Sequence, residues 1–292
     1  MAKANNYNAK KRSLTDLQKV ANSLRKDVIK MLEAAGSGHT AGPLGMADIL
    51  TALYFDVMKH DPKNPDWDER DIFVLSNGHT VPIRYAAMAE SGYFPKSELK
   101  TLRKLGSRLQ GHPERHKLPG VEHVSGPLGS GLSQACGMAL AMKQKGQKHR
   151  WIYCMMGDGE LNEGNIWEAA MFANKYQLDN VIGIIDRNYI QIDGATEDVM
   201  PLEDLKAKWE AFGWHVLEIN GNDIEAVIDA CAMGRAIMDQ PVVIIAHTVA
   251  GKGVEFMEYD FHWHGMPPNH EQAKEAMKEL RSLGGKITGE HE

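Results

Sequence analysis

The stretch WIYCMMGDGELNEGNIWEAAMFANKYQLDNVIGIIDRN, residues 151–188, decides the fold. It opens on an apolar run, Trp151–Met156, that breaks at Gly157-Asp158-Gly159. Apolar residues then recur at helical spacing over Gly164–Tyr176, and a second apolar run, Val181–Asp186, follows. Two short apolar runs joined by a helix form a βαβ unit, so the strands are expected to be parallel with a right-handed crossover. Working outward, Trp214–Ile219, a helix around Ile224–Met238, and Val242–Thr248 repeat the alternation. Upstream, Ile72–Leu75 reads as a further buried strand ending in the turn Ser76-Asn77-Gly78-His79. Strands alternating with helices predict an α/β fold, a single parallel sheet with helices on both faces. Ser13 three residues before Asp16 resembles a capping box, and Leu14, Leu17, Ala21, Leu24, Val28, Met31 and Leu32 continue as a helix that Gly36 stops. No repeat, linker or second domain interrupts residues 13–283. Residues 1–12 are expected to be a frayed polar extension and residues 284–292 a loose polar tail. Arg108–Ser130, rich in Gly, Pro and His, is too long for an ordinary connection and reads as a functional loop.

The 292 residues carry a formal charge of -6, which argues against a nucleic-acid surface. No apolar stretch approaches the roughly 18 residues of a membrane span, and no apolar signal region follows the charged start, so a soluble cytoplasmic protein without membrane contact is expected. Cys136, Cys154 and Cys231 lie far apart and suggest neither a disulfide framework nor a metal cluster.

Ligands of open parallel sheets gather beyond the carboxyl ends of the strands. Asp158 and Asn188 follow adjacent strands and stand thirty positions apart. With the Ile190 backbone carbonyl they offer three oxygen ligands for Mg²⁺ or Ca²⁺, with further positions for a diphosphate and water. Taken singly, each motif reads equally as a plain turn. The spacing of the two resembles the thiamine-diphosphate pattern. Ser37-Gly38-His39, Ser76-Asn77-Gly78-His79, Gly111-His112-Pro113-Glu114, Gly126-Pro127-Leu128-Gly129, Gly251-Lys252-Gly253 and Trp263-His264-Gly265 then follow in order. In that order they resemble the amino-terminal, thiamine-diphosphate-binding domain of the transketolase family over roughly residues 13–270.

The resemblance implies roles. Asp158 and Asn188 would bind the metal by side chain and Ile190 by its carbonyl. His79, Gly157, Gly159 and His264 would contact the diphosphate, Gly126 and Leu128 would flank the cofactor rings, and Ile192 would pack on the thiazolium. His39, His112 and His264 would line a substrate channel, hydrogen-bonding sugar hydroxyls and moving protons, a task that suits imidazole. Glu163 and Glu168 match glutamates near the subunit interface. The other nine histidines, none with that context, are read as structural. Thr40-Ala41-Gly42 and Thr80-Val81-Pro82 depart from the common family pattern near the channel, which bears on the sugar more than on the cofactor.

Transketolases of full length run past twice this size. Their second domain holds the aminopyrimidine ring and its activating glutamate. The resemblance therefore implies a two-chain transketolase that uses sugar phosphates. A separate carboxy-terminal, pyrimidine-binding subunit would complete it, as an α2β2 heterotetramer. The full start and polar end favour a natural subunit over a truncated chain. Rival readings are the α subunit of a 2-oxoacid dehydrogenase, a 1-deoxyxylulose-phosphate synthase, and a homologue that keeps the fold without catalysis.

Overall fold

A computed structural model describes residues 7–147 and 149–289. Five parallel strands form the main sheet: β1 (Ile72–Leu75), β2 (Ile152–Gly157), β3 (Val181–Arg187), β6 (His215–Asn220) and β7 (Val242–His247), in the order β1-β2-β3-β7-β6. The short hairpin β4 (Ile190–Gln191) and β5 (Gly194–Ala195) stands apart. The expected strands are therefore present to within about one residue.

Alternation along each strand divides the apolar side chains between two cores. Phe73, Leu75, Tyr153, Met155, Ile182, Ile184, Val242 and Ile244 face one core. Ile72, Val74, Ile152, Cys154, Met156, Ile185, Val243 and Ile245 face the other. A strand buried on both faces must be apolar throughout, hence the unbroken runs in the sequence. The helix Gly164–Lys175 covers the second core and the helix Ile224–Ala236 the first. The chain thus changes sides between β3 and β7, and such a switch point leaves a crevice at the strand ends.

Helix Leu14–Ala35 begins and ends where expected. Ser13 Oγ accepts from Asp16 N–H at 3.1 Å, and Gly36 takes φ 64°. Other helices escaped the sequence reading. Val81–Ser91 has every residue buried except Glu90, so it shows no amphipathic stripe to recognise.

Two expectations at the termini are corrected. Residues 7–12, expected to fray, are pinned. Tyr7 N–H donates to the His60 carbonyl at 2.7 Å, and Asn8 Nδ2 donates to the carbonyls of Tyr54 and Met58. Arg12 Nη1 reaches the Phe55 carbonyl at 2.7 Å. Residues 1–6 lie outside the described part of the chain. At the other end, helix His270–Gly289 runs through the segment expected as a loose tail. Gly284, the first residue of that expected tail, lies inside the helix. A Cβ there would lie 2.8 Å from Asn22 Nδ2, so close packing on the first helix is what asks for glycine. Residues 290–292 are outside the described part.

Candidate active site

A cavity of about 370 Å³ opens at the carboxyl ends of β1, β2 and β3. Each strand delivers one turn to it: Asn77 and His79 after β1, Gly157, Asp158 and Gly159 after β2, Asn188 and Ile190 after β3. The long loop adds His112, Gly126 and Leu128, the turn after helix Leu14–Ala35 adds His39, and the turn Phe261–Trp263 leads into His264. Ile192, which is 67% exposed, completes the rim. All twelve residues expected to serve cofactor, metal or substrate therefore line one space. Glu163 and Glu168 do not. Both are exposed on the helix Gly164–Lys175 and its cap, beside the exposed Met171 and Phe172.

Local geometry explains the glycines. Gly38 takes φ 128°, and a Cβ there would lie 2.6 Å from Leu32 Cδ2, so only glycine turns the chain to present His39. A Cβ on Gly159 would lie 2.9 Å from the Gln191 side chain, so its backbone can approach a ligand only without one.

Asp158 is 2% exposed and held on several sides. Its Oδ2 accepts from Arg187 Nη1 at 3.0 Å, Tyr189 N–H at 2.8 Å and Thr196 Oγ1 at 3.3 Å, while Oδ1 accepts from Gly159 N–H at 2.7 Å. Burial pushes its carboxyl upward, and Arg187 and these hydrogen bonds oppose that shift. Arg187 continues to Glu197 at 2.6 Å and Glu203 at 2.9 Å. Asn188 donates from Nδ2 to Asp186 Oδ2 at 2.7 Å, which commits its nitrogen and turns Oδ1 toward the Ile190 N–H at 3.1 Å. Asp186 is fully enclosed, and burial pushes its carboxyl up to about 7.

Three of the four site histidines form a cluster. Ring centroids of His39 and His79 are 4.6 Å apart, His39 and His264 5.7 Å, His79 and His264 5.4 Å. Burial lowers His39 to about 4, helped by the neighbouring His264, Arg103 and His112. Burial also lowers His79, His112 and His264, so all four are neutral at pH 7. A neutral imidazole both donates and accepts. Removal from water disfavours the cation at all four rings, most strongly at His39 and His79.

The residues suit a polar ligand. His39 Nδ1, His264 Nδ1 and Asn77 Oδ1 are buried with no hydrogen-bond partner. Buried polar atoms are normally satisfied, so these three open valences ask for one. Among the described residues no group of three His, Cys, Asp or Glu side chains could hold a metal ion. A cation here would take carboxylate, amide and carbonyl oxygens, a donor set suited to Mg²⁺ or Ca²⁺ and unlike a zinc site.

Sequence reading missed Asn77, Glu160, Asp186, Arg187 and Arg103. Arg103 lies against Gly111, where a Cβ would sit 2.6 Å from its Nε, and its charge reaches His39 and His112. Nothing local marks it.

Residues 17–284 match the family model "Transketolase, thiamine diphosphate binding domain". The chain is 44% identical over 269 residues to the 6-deoxy-6-sulfo-D-fructose transketolase subunit SqwG of Clostridium sp. (strain MSTE9), covering 92% of this chain and 98% of that one. It is 42% identical over 267 residues to an apulose-4-phosphate transketolase subunit from Phocaeicola vulgatus, covering 91% and 94%. Among solved structures it resembles the transketolase of Campylobacter jejuni, with TM-score 0.84 and 37% identity, covering 93% of this chain and 45% of that one. The chain therefore spans nearly all of the relatives that are separate subunits and under half of the single-chain transketolase. It belongs to the transketolase family, as the amino-terminal, thiamine-diphosphate-binding part of the kind found in two-chain transketolases.

Proposed function

We propose that this chain is the diphosphate- and metal-binding subunit of a cytoplasmic transketolase. The enzyme transfers a two-carbon ketol unit from a ketose phosphate, or a similarly anionic ketose, to an aldose acceptor. The observation that carries this reading is the convergence of the family's cofactor, metal and channel positions on one cavity with open polar valences. Bound thiamine diphosphate would supply the nucleophilic carbon and the electron sink that ketol transfer requires.

The chain's own residues do the rest. Asp158, Asn188 and the Ile190 carbonyl would hold Mg²⁺ or Ca²⁺, which would supply positive charge to offset the diphosphate. His79, the Gly157–Gly159 turn and His264 meet the diphosphate. Gly126, Leu128 and Ile192 flank the rings. His39, His112 and His264, kept neutral by burial, donate to or accept from the sugar hydroxyls and pass protons between them.

The substrates named for the relatives are anionic sugars, a sulfo-ketose and a ketose phosphate. The partner in this reading is a carboxy-terminal subunit with the pyrimidine site and the activating glutamate, two copies of each chain making a heterotetramer. In this reading the partner would dock over the face that carries Glu163 and Glu168, and the exposed Met171 and Phe172 beside them would serve as apolar anchors. An obligate interface of this kind buries more than about 2,000 Å².

The test is to purify this chain alone and assay ketol transfer with saturating thiamine diphosphate and Mg²⁺ over a panel of ketose donors. A pyrimidine-binding partner is then added. Activity is expected only with the partner. Full activity without it, or none with it, overturns the reading.

A further inference from the structure

Glu160 is a buried carboxylate with no part in the proposed chemistry. It is 2% exposed, lines the cavity, and sits in the turn Gly159–Asn162 just after β2. Oε1 accepts from the Ser76 hydroxyl and from the Gly129 N–H at 2.5 Å; Oε2 accepts from the Gly157 N–H at 3.0 Å. The donors come from three separate segments: the end of β1, the turn into helix Ser130–Gln144, and the end of β2. Each neighbours a cavity-lining residue, respectively Asn77, Leu128 and Asp158. Ser76 Oγ accepts in turn from the Gly131 N–H at 3.1 Å, and a Cβ on Gly131 would lie 2.4 Å from the Ser76 side chain. The segments are therefore in backbone contact around the carboxylate.

We propose that Glu160 is a positioning residue for the cofactor: its two side-chain oxygens accept from three donor segments and so set the spacing between the metal turn and the loop that flanks the rings. This rests on reading the cavity as the thiamine-diphosphate site. Every partner is an N–H or O–H, which a carboxylate satisfies with both oxygens and a neutral acid does not. Gly129 caps a helix of 15 residues, whose amino-terminal dipole also favours an anion. The nearer end of the cradle is thus tied to Asp158 through the backbone of Gly157, and the farther end to Leu128 through Gly129.

The experiment compares the two-chain enzyme carrying E160Q or S76A with the unaltered one. Glutamine has the same shape but one acceptor oxygen, so its amide must confront either Gly157 N–H or the Ser76 and Gly129 donors. Thiamine diphosphate affinity, titrated calorimetrically with Mg²⁺, is expected to fall about tenfold or more in E160Q. At saturating cofactor kcat is expected to stay within a few-fold. Amide hydrogen exchange at residues 129–131 is expected to quicken. S76A removes one donor without adding a clash and should give the same pattern at smaller amplitude. A folded E160Q with unchanged cofactor affinity overturns the proposal, because the donor segments would then hold their places around an amide as well as around the carboxyl oxygens. If E160Q does not fold, unchanged affinity in S76A overturns it. An unaltered enzyme that fails to bind the cofactor instead overturns the reading of the cavity itself.

Discussion

Two sets of histidines, one fully buried in the core and one half-buried around the cavity, differ in what they touch. In the core, His60 is satisfied at both ring nitrogens, Nδ1 by the Tyr93 hydroxyl at 3.0 Å and Nε2 by the Tyr54 carbonyl at 2.8 Å. His123 meets the Leu75 backbone through Nε2, with Arg84 Nη1 3.4 Å from Nδ1. Around the cavity, His39 and His264 each leave Nδ1 buried and without a partner. Burial lowers the proton affinity of both sets alike, His39 and His60 both to about 4. A shifted pKa therefore does not separate function from packing in this molecule. Among these histidines the hydrogen-bond partners do: His60 has both ring nitrogens engaged, whereas His39 and His264 keep Nδ1 without a partner where they line the cavity.

The largest effect should come from the one charge that the cavity contributes to a metal. Asp158→Asn keeps the shape but removes the anion, and Arg187 keeps Glu197 and Glu203 as counterions. Metal-dependent binding of thiamine diphosphate is expected to weaken by several kcal/mol, roughly a hundredfold or more. Calorimetry with and without Mg²⁺ checks this, and equal affinities in mutant and parent would remove Asp158 from the metal site.

The histidine contrast is next. His60→Ala should lower folding stability by about 3 kcal/mol, through a cavity and two stranded partners, and leave kcat/KM of the folded enzyme near normal. His39→Ala should leave the melting temperature nearly unchanged and lower kcat/KM by about 10²-fold or more. Denaturation curves beside steady-state kinetics separate the two, and matching profiles would erase the distinction between core and cavity histidines.

The core set also predicts a pH dependence. The folded proton affinity of His60 lies near pH 4, below the ordinary 6.5, so the unfolded chain binds the extra proton first. Its contribution is complete above about pH 6.5 and is lost as pH falls toward 4, to a limit of about 3 kcal/mol. Urea midpoints from pH 7 to 5 should drop more steeply in the parent than in His60→Gln. Parallel curves would assign the acid sensitivity to other groups.

Within the cavity set a finer split follows. His79→Ala should weaken cofactor binding about tenfold, while His112→Ala should raise the donor KM or lower kcat by a similar factor. One common kinetic pattern would merge the diphosphate and channel roles. The smallest effects belong to the exposed helix. Glu163→Gln and Glu168→Gln should change stability of this chain by under about 0.5 kcal/mol, and any loss should show in sedimentation of the two-chain assembly. A marked drop in melting temperature would make them structural.

Much of the fold and site was legible from residues 151–188 alone. Fully buried parallel strands have to be apolar on both faces, so β2 and β3 announce themselves, and the turns that end them carry Asp158 and Asn188 by simple continuation. Glycine next to histidine likewise marked His39, His79, His112 and His264; a Cβ at Gly38, Gly78 or Gly111 would meet a neighbouring side chain closer than 3.0 Å, whereas Gly265 has room for one. Those signals are legible in the sequence as short patterns, periodicity within a strand and glycine beside histidine, even where the neighbour that demands the glycine, such as Ser125 at Gly78, is distant. What only the tertiary structure decided has no local signal. Ser76, Gly129 and Gly157 are far apart in sequence and meet at Glu160; Arg187 joins Asp158 to Glu197 and Glu203; Gly284 fits against Asn22 across the whole length of the chain. Which donors surround a buried carboxylate, and which imidazole is left with an open valence, depends on how distant segments pack, and hydrogen-bond satisfaction can be counted only once they have.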